Sequence, residues 1–138
     1  MLFNIKKDNE KKDSYLIKVA ALLIHAAKID EKYNNDEEEI IKKTLLELGA
    51  DQNKLDELIE DAKENEQKAN QILDFTKEIK NQDNKEKIKI IKSLWKIIYS
   101  NKDADMYETN LMRRLSGLIY IDSKTMGDIK EKIKNENS

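Results

Sequence analysis

The sequence predicts an all-α fold, a compact bundle of about seven helices built from two similar helical repeats. Three observations lead there. With Pro 0 and Gly 3 in 138 residues, little is available to break a helix or to make a tight turn. Apolar residues recur at helical spacing, and β-branched residues nowhere alternate for long with polar ones. The second half also repeats the layout of the first at an offset of 71: Leu23 answers to Leu94, Asp30 to Asn101, Glu37 to Glu108, Ile40-Ile41 to Leu111-Met112 and Leu48 to Ile119.

Residues 1–12 are charged and unpatterned, and are expected to be a flexible leading segment ahead of one domain over 13–135, its repeats at about 14–80 and 85–135. The first helix is expected to start at Asp13-Ser14 as its cap and to run to Lys28. Its centre, Val19 to Ile24 with Ala26-Ala27, is apolar nearly all round, so it must be surrounded by other helices. Lys18, His25 and Lys28 form its one polar stripe. The second helix, Asn34 to Leu48, turns Ile40, Ile41, Leu45 and Leu48 inward and stops at Gly49, a good residue for a left-handed helix end. Asp51 then caps a third helix carrying Leu55, Leu58, Ile59 and Ala62, and a fourth is expected over Ala69–Lys80. Asn81–Asn84 marks the boundary between the copies. A fifth helix, Lys85–Ser100, presents Ile88, Ile91, Leu94, Trp95, Ile97 and Ile98 with lysines opposite, Trp95 being the largest contribution to the core. The sixth, Asp105–Tyr120, and the seventh, Ser123–Lys134, complete the bundle with short, antiparallel connections.

A chain of this length is the size of one ordinary domain and can bury about 68–70 % of its unfolded surface. Charged residues make up 39 % and hydrophobic ones 38 %, and their helical patterning separates the chain from a disordered polyampholyte. Cys 0 excludes disulfides, thiolate metal sites and cysteine nucleophiles. The start lacks the 7–15 residue apolar run of a signal peptide, and no stretch approaches the roughly 18 apolar residues of a membrane span. A soluble cytoplasmic protein with no membrane insertion is expected. Lysine outnumbers arginine 24 to 2, which fits the coding bias of an AT-rich genome. Residues 1–69 hold 12 basic and 17 acidic groups, a balance of −5; residues 70–138 hold 14 and 11, a balance of +3. The positive half is too dilute in charge, arginine and aromatic residues for nucleic acid, whereas an acidic half suits cations or a basic protein partner.

The residues able to carry chemistry lie in two loops. Asp30 precedes Glu37 by seven residues within a cluster that includes Glu31, Asp36, Glu38 and Glu39; Asn101 precedes Glu108 by seven, with Asp103 and Asp105 between. Oxygen-rich loops of this kind suit hard cations such as Ca²⁺ or Mg²⁺, which need several oxygens converging at about 2.0–2.6 Å. The ligand alternation and central glycine of an EF-hand are absent. A second reading needs no ion: Asn34 with Glu37, and Asp105 with Glu108, have the spacing of capping boxes, and acidic residues in a first turn are favoured by the helix dipole. Both roles can coexist, because a carboxylate has lone pairs to spare.

On these residues, Ala20-Ala21-Leu22-Leu23, Ala27-Lys28-Ile29-Asp30 and Glu37, then Leu94-Trp95, Ser100-Asn101, Glu108 and Leu111 to Leu115, the chain resembles the TerB-like family of tellurite-resistance proteins. It is also similar to the N-terminal domain of the co-chaperone DjlA. The resemblance covers about residues 14–134. It implies a bundle of about seven helices in a cytoplasmic protein associated with tellurite and stress responses, acting as an interaction module and binding divalent metal through acidic residues. The family's two Asp-Gly turns fall on Asp30-Glu31 and Asn101-Lys102, and its helix-start glutamates on Glu37 and Glu108. Both glycines are missing here, and the amide of Asn101 removes one formal charge from any ion site.

His25 shares its face with lysines and is expected on the rim of the bundle. Arg113-Arg114 is expected to make a salt bridge to a neighbouring helix, with anion binding as the other reading. Tyr33, Tyr99, Tyr107 and Tyr120, near helix ends, are expected to bury their rings and leave their hydroxyls wet. No catalytic constellation stands out. The reading is therefore a non-enzymatic, stress-related interaction module with a protein partner, a docking surface at Glu38 and Glu39, and no nucleic acid. The alternative is a divalent-cation domain using Asp30, Glu37, Asn101 and Glu108. A hydrolase using Asp30 and Glu108 would need those carboxylates within about 5–9.5 Å. Oligomeric state is left open.

Overall fold

The computed structural model describes residues 2–29, 35–100 and 106–136, with side chains described over 10–29, 35–100 and 109–136. Within them are seven α-helices and no strand: α1 (Leu2–Lys28), α2 (Asn35–Glu47), α3 (Leu55–Lys68), α4 (Leu73–Thr76), α5 (Asn84–Tyr99), α6 (Met106–Leu118) and α7 (Ser123–Glu136). Short 3₁₀ turns at Gln52–Lys54 and Ile79–Asn81 precede α3 and follow α4.

The first helix starts well before the cap expected at Asp13-Ser14. Nothing in 2–12 interrupts a helix, and the Asp13 carboxylate instead takes the Lys54 ammonium at 3.2 Å, pinning α1 to the turn ahead of α3. The expectation for the α1 centre holds. Val19 to Ile24, Ala26 and Ala27 are all buried, and α2, α3, α4 and α5 pack around the helix. The alanines let those neighbours come close, since side-chain size at a crossing sets the distance between helix axes.

The α5 helix is the second central element, packed on α1, α2 and α7. Its buried set is wider than the sequence indicated: Ile90 and Tyr99 join Ile91, Leu94, Trp95, Ile97 and Ile98, and even Lys87 and Ser93 are covered, while Ile88 is only half-buried. The face of lysines is therefore narrower than expected. Where α2 crosses α5, the hydroxyls of Thr44 and Ser93 lie 2.5 Å apart, one donating to the other. At the N-terminal end of α5, the Tyr15 hydroxyl of α1 donates to Glu86 Oε2 at 2.8 Å. Burial first, and then this bond to a carboxylate, push the Tyr15 phenol far above its ordinary pKa.

The segment expected as one helix over Ala69–Lys80 is instead the single turn of α4 and a 3₁₀ turn. Its Ile72, Phe75, Thr76 and Ile79 are still buried, because short turns keep the three- and four-residue spacing that places them on α1. The Thr76 hydroxyl bonds the Leu73 carbonyl at 3.4 Å, a side-chain bond of the kind that competes with helix continuation.

Two helix ends are closed alike. At the end of α2, the Ala50 amide donates to the Leu45 carbonyl and the Gly49 amide to the Leu46 carbonyl, with Gly49 at φ +99. At the end of α6, the Ile121 amide donates to the Ser116 carbonyl with Tyr120 at φ +60. The first is a complete Schellman motif and the second shares its long bond. In each case an aspartate follows as a cap: Asp51 accepts from the Asn53 amide, Asp122 from the Thr125 amide. That bond from Thr125 is the main reason the Asp122 carboxyl is held below its ordinary pKa.

Candidate functional site

The sequence places its candidate ligands at the starts of α2 and α6. Glu37 is the third residue of α2, and Glu108 is the third of α6. Both backbones therefore have the register of a capping glutamate. Glu37 is 1 % exposed, while Asp36 and Glu39 on either side of the turn are exposed. Asp30 and Asn101 lie outside the described residues, and so does the Glu108 side chain. Among the described residues, no three His, Asp or Glu side chains gather into a metal donor set.

Glu38, one of the two residues expected to dock a partner, is engaged within the bundle. Its carboxylate takes the Lys63 ammonium of α3 at 3.3 Å and approaches Lys42 at 4.0 Å, while Lys42 reaches across to Asp56 at 3.3 Å and Lys63 to Glu60 at 3.3 Å. Partial burial works to lower the Lys63 pKa, but the hydrogen bonds that the ammonium donates to Glu38 and Glu60 outweigh it and hold the group above its ordinary range. These pairs tie α2 to α3. Exposed pairs of this kind contribute about 0–1 kcal/mol each, so they set the orientation of the two helices more than the stability of the bundle. The Glu38–Lys42 and Glu60–Lys63 spacings are visible in the sequence; the cross-helix partners depend on packing.

The polar stripe of α1 meets the end of α3. Lys18 donates to Asn65 Oδ1 at 3.3 Å, Lys28 to Glu66 Oε2 at 2.7 Å, and His25 Nδ1 lies 3.4 Å from Glu66 Oε1. His25 is half-buried, with its ring tilted beside Phe75 at 6.3 Å. The rim position expected for it is observed; the carboxylate partner, from a distant part of the chain, is new. One glutamate held by two basic groups fastens two helices together.

Arg113 and Arg114 depart from expectation. Both are exposed, and neither has a carboxylate partner among the described residues, so the inter-helix salt bridge is absent there. Arg114 borders an open hollow with His25, Ile29 and Asn110. Arg113 borders a smaller cleft over Trp95. Tyr120 also departs, since its ring is 70 % exposed at a left-handed helix end, with the Lys87 ammonium 5.9 Å from the ring centre. The Tyr99 ring is buried, as its position suggested, and it stacks on Trp95 at 5.9 Å; Tyr33 and Tyr107 lie outside the described side chains.

Among the described residues, no helix is long and apolar enough to cross a membrane. Neither a curated protein nor a solved structure matches the chain. A family model does: that of tellurite resistance protein TerB matches residues 16–131, from the buried part of α1 to the middle of α7. The resemblance first visible in the alanine-rich helix and the helix-start glutamates is thus borne out over most of the sequence, and the chain belongs to the TerB family of tellurite-resistance proteins.

Proposed function

We propose that this TerB-family chain is a non-enzymatic, cytoplasmic interaction module of the stress response, tied to tellurite resistance and acting through a protein partner. The observation that carries the reading is the split within the first turn of α2. Glu38 is engaged by Lys63 and Glu37 is buried, whereas Asp36 and Glu39 are exposed on the half of the sequence that carries the excess negative charge. An exposed acidic turn on a rigid helix suits a basic partner surface, steering its approach more than setting its affinity. The same reading takes the chain as two like halves, supported by the matching ends of α2 and α6 and by the Tyr15–Glu86 bond between positions one repeat apart.

The test is tellurite tolerance in cells deprived of the protein and given it back as wild type or as Asp36→Lys with Glu39→Lys, with recovery of bound partner measured in parallel. Tolerance and partner are both expected to be lost in the double variant while its helical circular dichroism is unchanged. Full tolerance with the reversed charges would overturn the proposal.

Burial of Glu37 at a helix start favours one alternative, a divalent-cation site for Ca²⁺ or Mg²⁺ formed with Asp30, Asn101 and Glu108. Calorimetric titration with Ca²⁺, Mg²⁺, Mn²⁺ and Zn²⁺ is then expected to give saturable heat that vanishes in Glu37→Ala with Glu108→Ala. An absence of heat from every ion would remove it.

A further inference from the structure

We propose that the cleft between α6 and α7, floored by Trp95 of α5, binds a small organic acid, with the apolar body on Met112 and Met126 and the carboxylate between Arg113 and Lys130. The cleft holds about 200 Å³. That is below the roughly 300–1,000 Å³ of sites for drug-sized ligands, so a nucleotide is too large and an acid of about ten non-hydrogen atoms fits.

Four observations select that chemistry. Among the described residues, no Asp or Glu lines the cleft. The two cations in its described lining, Arg113 and Lys130, have no carboxylate partner among the described residues. Two unneutralised positive charges facing one concavity favour an anion. Second, the floor is Trp95 with the buried Met112 and Met126. A bare inorganic anion would gain nothing from these side chains, whereas an apolar body covers them and adapts to the flexible thioethers. Third, the indole N–H of Trp95 is the one buried side-chain polar atom among the described residues without a hydrogen-bond partner. Buried donors are normally satisfied. The Lys130 ammonium lies 5.4 Å from the centre of that ring, and an anion that draws Lys130 aside gives the indole edge an acceptor. Fourth, a side chain built on Gly127 in the wall would meet nothing within 4 Å, so the space is open on the α7 side.

Because Trp95 is the only tryptophan in the chain, its fluorescence reports on the surroundings of one side chain, the floor of this cleft. The full chain is titrated with cyclohexanecarboxylate and hexanoate, with cyclohexylmethanol as the uncharged counterpart and with sulfate as an anion lacking an apolar body; amide chemical shifts of Ser123, Gly127 and Lys130 are followed in parallel. Saturable changes are expected with the two carboxylates, weakened at least tenfold in Lys130→Gln and in Arg113→Gln and abolished in Gly127→Leu, which fills the space. Equal binding of the alcohol, or unchanged affinity in both charge variants, would reduce the cleft to an apolar hollow and overturn the proposal. Saturation by sulfate at the strength of the carboxylates would overturn the organic-acid assignment. Silence in both fluorescence and amide shifts would overturn the site.

Discussion

Gly49 and Tyr120 stand 71 residues apart and occupy the same backbone situation, a left-handed residue that ends a helix and sends the chain on to an aspartate cap. One place is filled by the residue the conformation asks for, the other by a large side chain that pays a steric penalty there. At Gly49 the backbone, with φ at +99, is what asks for glycine, and a Cβ there would also stand 2.8 Å from the Lys12 ammonium, the movable end of an exposed side chain. The second half leaves its turn open, and the exposed Tyr120 ring takes the Lys87 ammonium over its face. Like backbones thus carry unlike residues, one without strain and one with an exposed aromatic contact beside the strain.

The central helices extend the comparison and give the largest expected effect. Leu23 of α1 and Leu94 of α5 are matched positions, both fully buried, one among alanines and the other beside Trp95. Leu23→Ala and Leu94→Ala are each expected to cost about 2–5 kcal/mol, read from urea denaturation. A loss below about 1 kcal/mol at either position would show that the two helices do not share the core equally.

Gly49→Ala comes next, at an expected cost of about 1–2 kcal/mol from the left-handed backbone. The Lys12 side chain adds a steric part, which Lys12→Ala in the same chain should relieve while leaving the backbone part. If the double variant is no more stable than Gly49→Ala, the crossing of Lys12 does not explain why glycine is kept here.

Tyr15→Phe tests the bond that joins the two halves. Removing a hydroxyl donated to the partly exposed Glu86 carboxylate is expected to cost about 1 kcal/mol at neutral pH. The pH dependence has a definite sign. In the fold the phenol is held above its ordinary value of 10.0, so as the pH rises the unfolded chain gives up this proton first. The contribution is complete below about pH 10 and falls away above it. Wild type should therefore lose more stability than Tyr15→Phe between neutral and strongly alkaline solution. Parallel pH curves for the two proteins would show that neither burial nor the bond to Glu86 holds the proton on this phenol.

Helix number, the surrounded character of α1, the weight of Trp95 and the glycine at the end of α2 were all legible, because each depends on spacing or on a residue with a single conformational use. What escaped depends on partners far away in sequence. Asp13 reads as a cap until Lys54 is brought beside it, and Glu38 reads as a free surface charge until α3 supplies Lys63. The breaking of 69–80 into two short turns was hidden for a related reason: Ile72, Phe75 and Ile79 have helical spacing whether or not one helix carries them. At the candidate cation loops, four residues stand out from spacing and oxygen chemistry, and the burial of Glu37 is the part that the structure adds.

The smallest effect is also the sharpest on the opening comparison. Tyr120→Gly removes the left-handed penalty of roughly 1–2 kcal/mol but gives the unfolded chain more freedom, worth about 0.4–1 kcal/mol against it. It also removes the exposed contact with Lys87, about 0.5 kcal/mol. These terms largely offset one another, and at their midpoints a small net gain, about 0.3 kcal/mol, is expected, measured by thermal and urea unfolding. Tyr120→Ala keeps the left-handed penalty and loses the ring, so it should fall below both wild type and the glycine variant. That ordering, glycine at or above tyrosine and tyrosine above alanine, separates the two contributions: were alanine equal to tyrosine, the ammonium over the ring would contribute nothing, and the exposed aromatic at this helix end would have no energetic reason to be there.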